Sequence, residues 1–233
     1  MAMSRTFKQR LLARERVVMM NPDHPSPSLV EFIGGLGADA VMIDMEQGSP
    51  GAERVEDMAR AARAAGLCAL VRIFAPEPWV IERYMLRGIH GIVVPRVETV
   101  PQAREVVESV RYCFPTNAED KIVIMQVETA GLAEALDALI ELPGIDAYFI
   151  GPVDLAKSLG KGGDYRDPAV IAVIESLVGR LTAAGKAAGM LVTASDVGFW
   201  RARGVTLLYN HLNEYAKLGA SYFEAAEMAK TLA

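Results

Sequence analysis

Short runs rich in Val, Ile, Met and Ala alternate with amphipathic segments of helical period along the whole chain, and this alternation limits the fold more than any other feature. A strand, a crossover helix and a second strand form the βαβ unit, whose strands pair in parallel. The runs read as strands at Val17–Met20, Ala40–Ile43, Cys68–Ile73, Gly91–Val94, Lys121–Gln126, Ala147–Ile150, Met190–Val192 and Leu207–Tyr209. Helices are expected between them, as at Arg54–Ala65, Thr99–Tyr112, Gly131–Leu142 and Pro168–Ala187. Gly66, Gly88, Gly144, Gly189 and Gly204 then fall just past helix ends, where a positive φ is needed. Eight such units with no linker predict one domain over 1–233, a closed (β/α)8 TIM barrel, and 233 residues of 52% hydrophobic content suit it. Ser4–Arg14 reads as a helix capping the barrel bottom, and the run from Leu212 to Leu232 is long enough to reach a neighbouring subunit.

The formal net charge of -5 argues against a nucleic-acid or anionic-membrane surface, since both need concentrated Lys and Arg. A small-molecule substrate is expected instead. Cys68 and Cys113 offer neither a disulfide framework nor a C-x-x-C spacing, which suits a reducing cytoplasm. The opening MAMSRTFKQRLLARER lacks an apolar signal core, and LCALVRIFAPEPWVI is broken by Arg72 and two prolines before it could span a bilayer.

In such a barrel the chemistry sits at the C-terminal ends of the strands. The residues there are Asn21 to His24, Asp44 to Gln47, Arg72, Pro95-Arg96, Gln126 and Glu128, Gly151 to Asp154, Thr193 to Asp196, and Asn210-His211. Strand bottoms are introduced by plain Gly, Ala and Ile. Glu128 and Asp154 end two similar apolar runs, KIVIMQVE and AYFIGPVD, which places both carboxylates at one end of neighbouring strands. A hard cation such as Mg²⁺ or Mn²⁺ takes oxygen ligands and keeps open positions, so two carboxylates and a chelating substrate complete its shell. The competing reading makes each acid a helix-start residue. Gly151-Pro152 looks like a tight turn offering backbone N–H groups to a substrate carboxylate. Arg72 inside an apolar strand must meet an acid, Asp44 or Glu46, or a ligand. Gln126 shares the strand face of Glu128.

The blocks GADAVMIDMEQGSP, ALVRI, GIVVPRVETVPQAREVVESVRY, QVETAGLAEALDALIELPGIDAYFIGPVDLAKSLG and AAGKAAG resemble, in order, those of the HpcH/HpaI family of class II 2-keto-3-deoxy acid aldolases. The resemblance implies a barrel of the phosphoenolpyruvate/pyruvate type, often with an exchanged C-terminal helix and hexameric or trimeric assembly, and a Mg²⁺, Mn²⁺ or Co²⁺ site. By position it implies that Glu128 and Asp154 hold the metal and that Arg72 binds the keto oxygen and carboxylate region of pyruvate beside Gln126. Backbone around Val153 and Asp154 would take the carboxylate, beside the turn read at Gly151-Pro152, so that Gly151, Pro152, Val153 and Asp154 are expected to bind substrate. The implied activity is cleavage or formation of 4-hydroxy-2-keto acids, with a keto acid and an aldehyde as partners.

The chain departs from the family at the proton-transfer position. A histidine usually follows the second strand in a G-E-H pattern, whereas Met45-Glu46-Gln47 stands here, and the aspartate that partners it is replaced by Leu86. An amide takes no proton at neutral pH. His24 and His211, after the first and eighth strands, are the candidates to replace it, and His90 is expected to be structural at the strand bottom. Asp44 and Glu46 are further candidates. The PRVE run, Pro95 to Glu98, also resembles citrate lyase β-subunit-like proteins. That keeps open a lyase, synthase or oxaloacetate decarboxylase activity, and beside these a keto-acid-binding protein without turnover.

Overall fold

Period-two alternation decides which side chains enter a barrel and which meet the helices around it. The computed structural model describes residues 5–214 and 216. Its strands are β1 (Val17–Asn21), β2 (Ala40–Asp44), β3 (Cys68–Arg72), β4 (Gly91–Val94), β5 (Ile122–Val127), β6 (Ala147–Ile150), β7 (Ala187–Leu191) and β8 (Val205–His211). The α-helices are α1 (Phe7–Leu12), α2 (Pro27–Gly35), α3 (Ala52–Ala64), α4 (Pro78–Met85), α5 (Val100–Cys113), α6 (Ala130–Glu134), α7 (Leu136–Ile140), α8 (Pro152–Ser158), α9 (Pro168–Ala183) and α10 (Val197–Ala202). Every sequential strand pair is parallel and β8 closes on β1, so the eight strands form the closed barrel expected.

Two apolar layers result. Inside lie Val17 and Met19, Ala40 and Met42, Cys68 and Leu70, Ile122 and Ile124, Ala147 and Phe149, and Leu207 and Tyr209. The residues between them, such as Met20, Val41, Ala69 and Met125, pack outward against the helices. Continuing the inward parity by one step reaches Asn21, Asp44, Arg72, Gln126, Gly151 and His211, so the polar residues at the strand tops extend the inward columns. Leu11 of α1, fully buried, joins the inner layer from below.

The bottom corrects one expectation, because it is not introduced by plain residues alone. Asp39 accepts the Val18 N–H at 2.7 Å and pairs with Arg10, and Asp146 accepts the Val123 N–H at 2.9 Å and lies 3.1 Å from Lys8 Nζ. These aspartates tie the starts of neighbouring strands to the N-terminal helix. That helix begins at its N-cap Thr6 and ends at Leu12. His90 is structural as expected, its Nδ1 accepting the Ala69 N–H at 2.9 Å. Most of Leu212–Leu232 lies outside the described residues.

Two helix boundaries also differ. The expected helix Pro168–Ala187 stops at Ala183, where Gly185 adopts φ 70 and the Lys186 N–H returns to Leu181 O at 2.9 Å. That is a Schellman end, so the alanines after it start β7, and Gly189 lies within that strand. A side chain at Gly189 would meet Leu207, which explains glycine there without a positive φ. The expected helix Gly131–Leu142 is interrupted at Ala135, and Arg180 Nη1 takes the Ala133 carbonyl at 3.2 Å.

Candidate active site

The mouth of the barrel holds a cavity of about 510 Å³ lined by Asn21, Asp23, Asp44, Arg72, Gln126, Asp154 and Tyr209 among others. Arg72 ends β3, and β2 runs alongside in register so that Asp44 stands opposite it. Its Nε donates to Asp44 Oδ1 at 2.9 Å and its Nη2 to Asp44 Oδ2 at 2.6 Å, while Nη1 lies 3.2 Å from Glu46 Oε2. Burial works against the Arg72 charge, but the bond and charge of Asp44 outweigh it and hold the guanidinium protonated above its ordinary range. Both acids named from sequence therefore pair with Arg72. Asp44 Oδ1 also accepts the N–H groups of Glu46 at 3.0 Å and Gln47 at 3.2 Å, folding the loop after β2 around this carboxylate.

Glu128 follows β5 and is 4% exposed. It does not cap the following helix, since Thr129 does so by accepting the Leu132 N–H. Gln126 Nε2 donates to Glu128 Oε2, and the Arg96 N–H donates to Oε1 at 2.6 Å. Arg96 holds φ 59, a left-handed backbone costly for a side chain with Cβ. That turn aims its N–H at Glu128 and lets its Nε reach Glu46 Oε1 at 2.9 Å. Burial, reinforced by Glu46 and Asp154, pushes the Glu128 carboxyl up to about 7 against the hydrogen bonds that favour its ionised form.

Asp154 lies in the first turn of α8, after the N-cap Gly151 and with Pro152 opening the helix. It is a helix-start acid, as the competing reading has it, and lines the cavity as well. Lys157 Nζ is 2.8 Å from its Oδ1. Gly151 is required by close approach: a Cβ there would stand 2.8 Å from Glu128 Oε2 and 3.1 Å from Gln126 Nε2.

Among the described residues no group of three His, Cys, Asp or Glu side chains is placed to hold a metal. Two carboxylates are nonetheless suited to a hard cation that completes its shell with water and substrate. Gln126 Oε1 is buried with no hydrogen-bond partner among the described residues, and Glu128 resists ionisation beside two other acids. Around the mouth five carboxylates (Asp23, Asp44, Glu46, Glu128 and Asp154) meet three cations (Arg72, Arg96 and Lys157). The side chains present fit a divalent cation.

Gln47 and His24 are exposed residues of the cavity lining, and the His24 imidazole makes no hydrogen bond among the described residues. His211 is half-buried, its Nδ1 3.3 Å from Asp23 Oδ1. Leu86, where the family resemblance looks for an aspartate, follows α4 and is 54% exposed. Sequence reasoning placed Asp23 and Arg96 at the strand tops and Tyr209 near the pocket but gave none of them a role in the chemistry. Nothing in a sequence announces a positive φ at arginine or aspartate, although all three follow or end an expected strand.

A closed parallel barrel with carboxylates, a part-buried arginine and a cavity at its C-terminal mouth has the architecture of a barrel enzyme with its site at the strand tops. The HpcH/HpaI aldolase/citrate lyase family model matches residues 18–207, and the chain belongs to that family. It is therefore an enzyme of the carbon–carbon lyase class. It is 30% identical to the hydroxypyruvate/pyruvate aldolase of Agrobacterium fabrum, over 97% of this chain and 90% of that one. It is 32% identical to the 2-keto-3-deoxy-L-rhamnonate aldolase of Klebsiella pneumoniae, over 81% of this chain and 79% of that one. Among solved structures, citrate synthase SbnG superposes with a TM-score of 0.87 at 27% identity, covering 97% of this chain and 99% of that one. No helix among the described residues is long and apolar enough to cross a membrane.

Proposed function

We propose that the protein is a metal-dependent aldolase that cleaves or forms 4-hydroxy-2-keto acids through a pyruvate enolate. The observation that carries this reading is the charge arrangement at the mouth. Arg72 is matched by Asp44 and Glu46, so the arginine supplies geometry but little net positive charge; Asp154 is paired with Lys157, and Glu128, buried beside it with no cationic side chain as partner among the described residues, resists ionisation until a cation joins it. A keto acid would be repelled unless a cation joined it. Glu128 and Asp154 would hold that cation, Mg²⁺, Mn²⁺ or Co²⁺, which supplies Lewis-acid polarisation of the keto group.

The chain's own groups do the rest. Arg72, fixed by its paired acid, presents its remaining N–H bonds to the keto oxygen and stabilises the negative charge that develops there. Gln126 keeps Glu128 oriented and adds a neutral donor beside the substrate. Backbone at Gly151, Pro152, Val153 and Asp154 encloses the substrate carboxylate, and Asp44 and Glu46 keep Arg72 from turning away. The hydroxyl proton released in cleavage must pass to a group at the mouth, where His24, His211 and Gln47 stand. We place the enzyme in the cytoplasm as a homo-oligomer, a hexamer or trimer, acting on a keto acid and an aldehyde.

The test is pyruvate release from 4-hydroxy-2-keto acids after chelation and after return of each metal, with exchange of pyruvate methyl protons in D₂O followed by NMR. Activity should vanish with chelator, return with metal and be lost in Glu128→Gln and Asp154→Asn. Full activity in chelator would sink the reading. A citrate synthase-like or oxaloacetate-decarboxylating activity is the second reading, favoured by the likeness to the citrate synthase and by glutamine at position 47. It uses the same enolate, so methyl exchange without aldol cleavage would select it, and binding without exchange would mark a keto-acid-binding protein.

A further inference from the structure

Where β8 meets β1, the mouth carries a second group of side chains that the enolate-binding side leaves unused. His211 ends β8 and sits in register opposite Asn21, the last residue of β1. Its Nδ1 is 3.3 Å from Asp23 Oδ1, and the two side chains are 28% and 12% exposed. Asp23 takes φ 58, again a left-handed backbone for a residue with Cβ, in the turn that brings its carboxylate back toward β8. The other Asp23 oxygen accepts the Asn213 N–H at 2.6 Å, and the Asp23 N–H donates to Asn21 Oδ1 at 2.9 Å. Tyr209 stacks on the imidazole, with ring centroids 6.2 Å apart and planes 18° from parallel, and its hydroxyl accepts from Asn21 Nδ2 at 3.3 Å. The ring is thus held at one edge and on one face. Asp23, Tyr209 and His211 line the same cavity as Arg72, Gln126 and Asp154. In an eight-stranded barrel β1 lies across from β5, so this group faces the Glu128 side over the substrate space.

We propose that His211 is the catalytic base and acid of this active site and that Asp23 is its positioning residue, replacing the position after β2 where Gln47 stands. The proposal rests on the aldolase reading above. A carboxylate at Nδ1 selects the tautomer with its proton on that nitrogen, which leaves Nε2 as the proton acceptor. In cleavage Nε2 takes the proton of the C4 hydroxyl, the C4–O bond becomes the aldehyde carbonyl, and the C3–C4 bond breaks. Its electron pair forms the C2–C3 double bond of the enolate. After the aldehyde leaves, the imidazolium returns the proton to C3, giving pyruvate and neutral His211. Among the described residues His24 has no such partner, and Gln47 is an amide.

Oxaloacetate decarboxylation separates this role from a structural one, because it needs the same enolate but no base for a C4 hydroxyl, and the proton that reaches C3 there comes from water rather than from an imidazolium loaded by that hydroxyl. The test measures cleavage of 4-hydroxy-2-oxobutanoate and longer 4-hydroxy-2-keto acids, and oxaloacetate decarboxylation, in the metal-loaded full chain. His211→Asn should lower kcat for cleavage by about 100-fold, with KM changed little and decarboxylation kept within about threefold of wild type. Asp23→Asn should lower cleavage kcat by about tenfold and likewise spare decarboxylation. Cleavage at the wild-type rate in His211→Asn, or loss of both activities in the same proportion, overturns the dyad while leaving the aldolase reading intact. A wild-type protein that performs neither reaction overturns the aldolase reading, and the dyad falls with it.

Discussion

At the scale of single residues, Glu128 is the group whose setting is most costly and most testable. Its carboxyl ionises near 4.5 in an unfolded chain and near 7 in the fold, chiefly because burial penalises the charge. The folded state therefore holds the proton between those values while the unfolded state loses it, so the metal-free protein loses stability as pH rises through that window. Above it the full cost, about 3 kcal/mol, remains. Glu128→Gln in chelator should be the more stable protein at pH 8 by up to that amount, about 3 kcal/mol, with the advantage fading toward pH 4.5; urea unfolding across pH checks it, and a pH-independent difference would contradict it. Arg72 makes the opposite kind of contribution. Its fork meets Asp44 through two nitrogens and Glu46 through a third, a geometry that an ammonium cannot copy. Arg72→Lys should keep the fold, lower kcat by about 100-fold and raise KM for pyruvate in steady-state kinetics.

Turns between elements decide whether those residues meet. The step from β6 into α8 is closed by Gly151, whose missing Cβ leaves room for Glu128 and Gln126. Gly151→Ala should displace both, reduce Mn²⁺ affinity by at least about tenfold in titration calorimetry and cost about 1–3 kcal/mol of stability. Unchanged affinity would show that the turn has slack. The loop after β4 works by another device, since left-handed Arg96 delivers a backbone N–H to Glu128 and a guanidinium to Glu46. Gly151-Pro152 was legible as a tight turn because both residue types restrict or permit backbone angles locally. Arg96 and Asp23 were not, because their positive φ follows from contacts made far along the chain. The ends of α9 and β7 show the same division. Local propensity carries the alanines before Gly189 into a helix, and only pairing of β7 with β6 and β8 makes them a strand.

For the whole molecule, barrel closure converts eight strand tops into one ring and seals the opposite end. Leu11 fills the bottom from α1, and Asp39 and Asp146 anchor that helix through Arg10 and Lys8. Leu11→Ala should cost about 2–5 kcal/mol in urea unfolding while leaving KM and kcat near wild type, since the site is at the far end; a matching loss of kcat would mean that the bottom controls the mouth. The alternation of apolar runs and amphipathic segments was enough to determine strand count, parallel order and the end that bears polar residues, because period-two and helical patterns are local properties of the chain. Parity along the fifth run likewise placed Gln126 and Glu128 on one face, the charge of Arg72 inside an apolar strand called for an acid or a ligand, and the family resemblance supplied the class of chemistry. Tertiary structure alone decided that Arg72 is claimed by both Asp44 and Glu46, that Arg96 reaches back to Glu128, and that Asp23 meets His211. Those pairings join residues that end or follow different strands, so they exist only once the strands have paired, and the Asp23–His211 contact only once β8 has closed on β1.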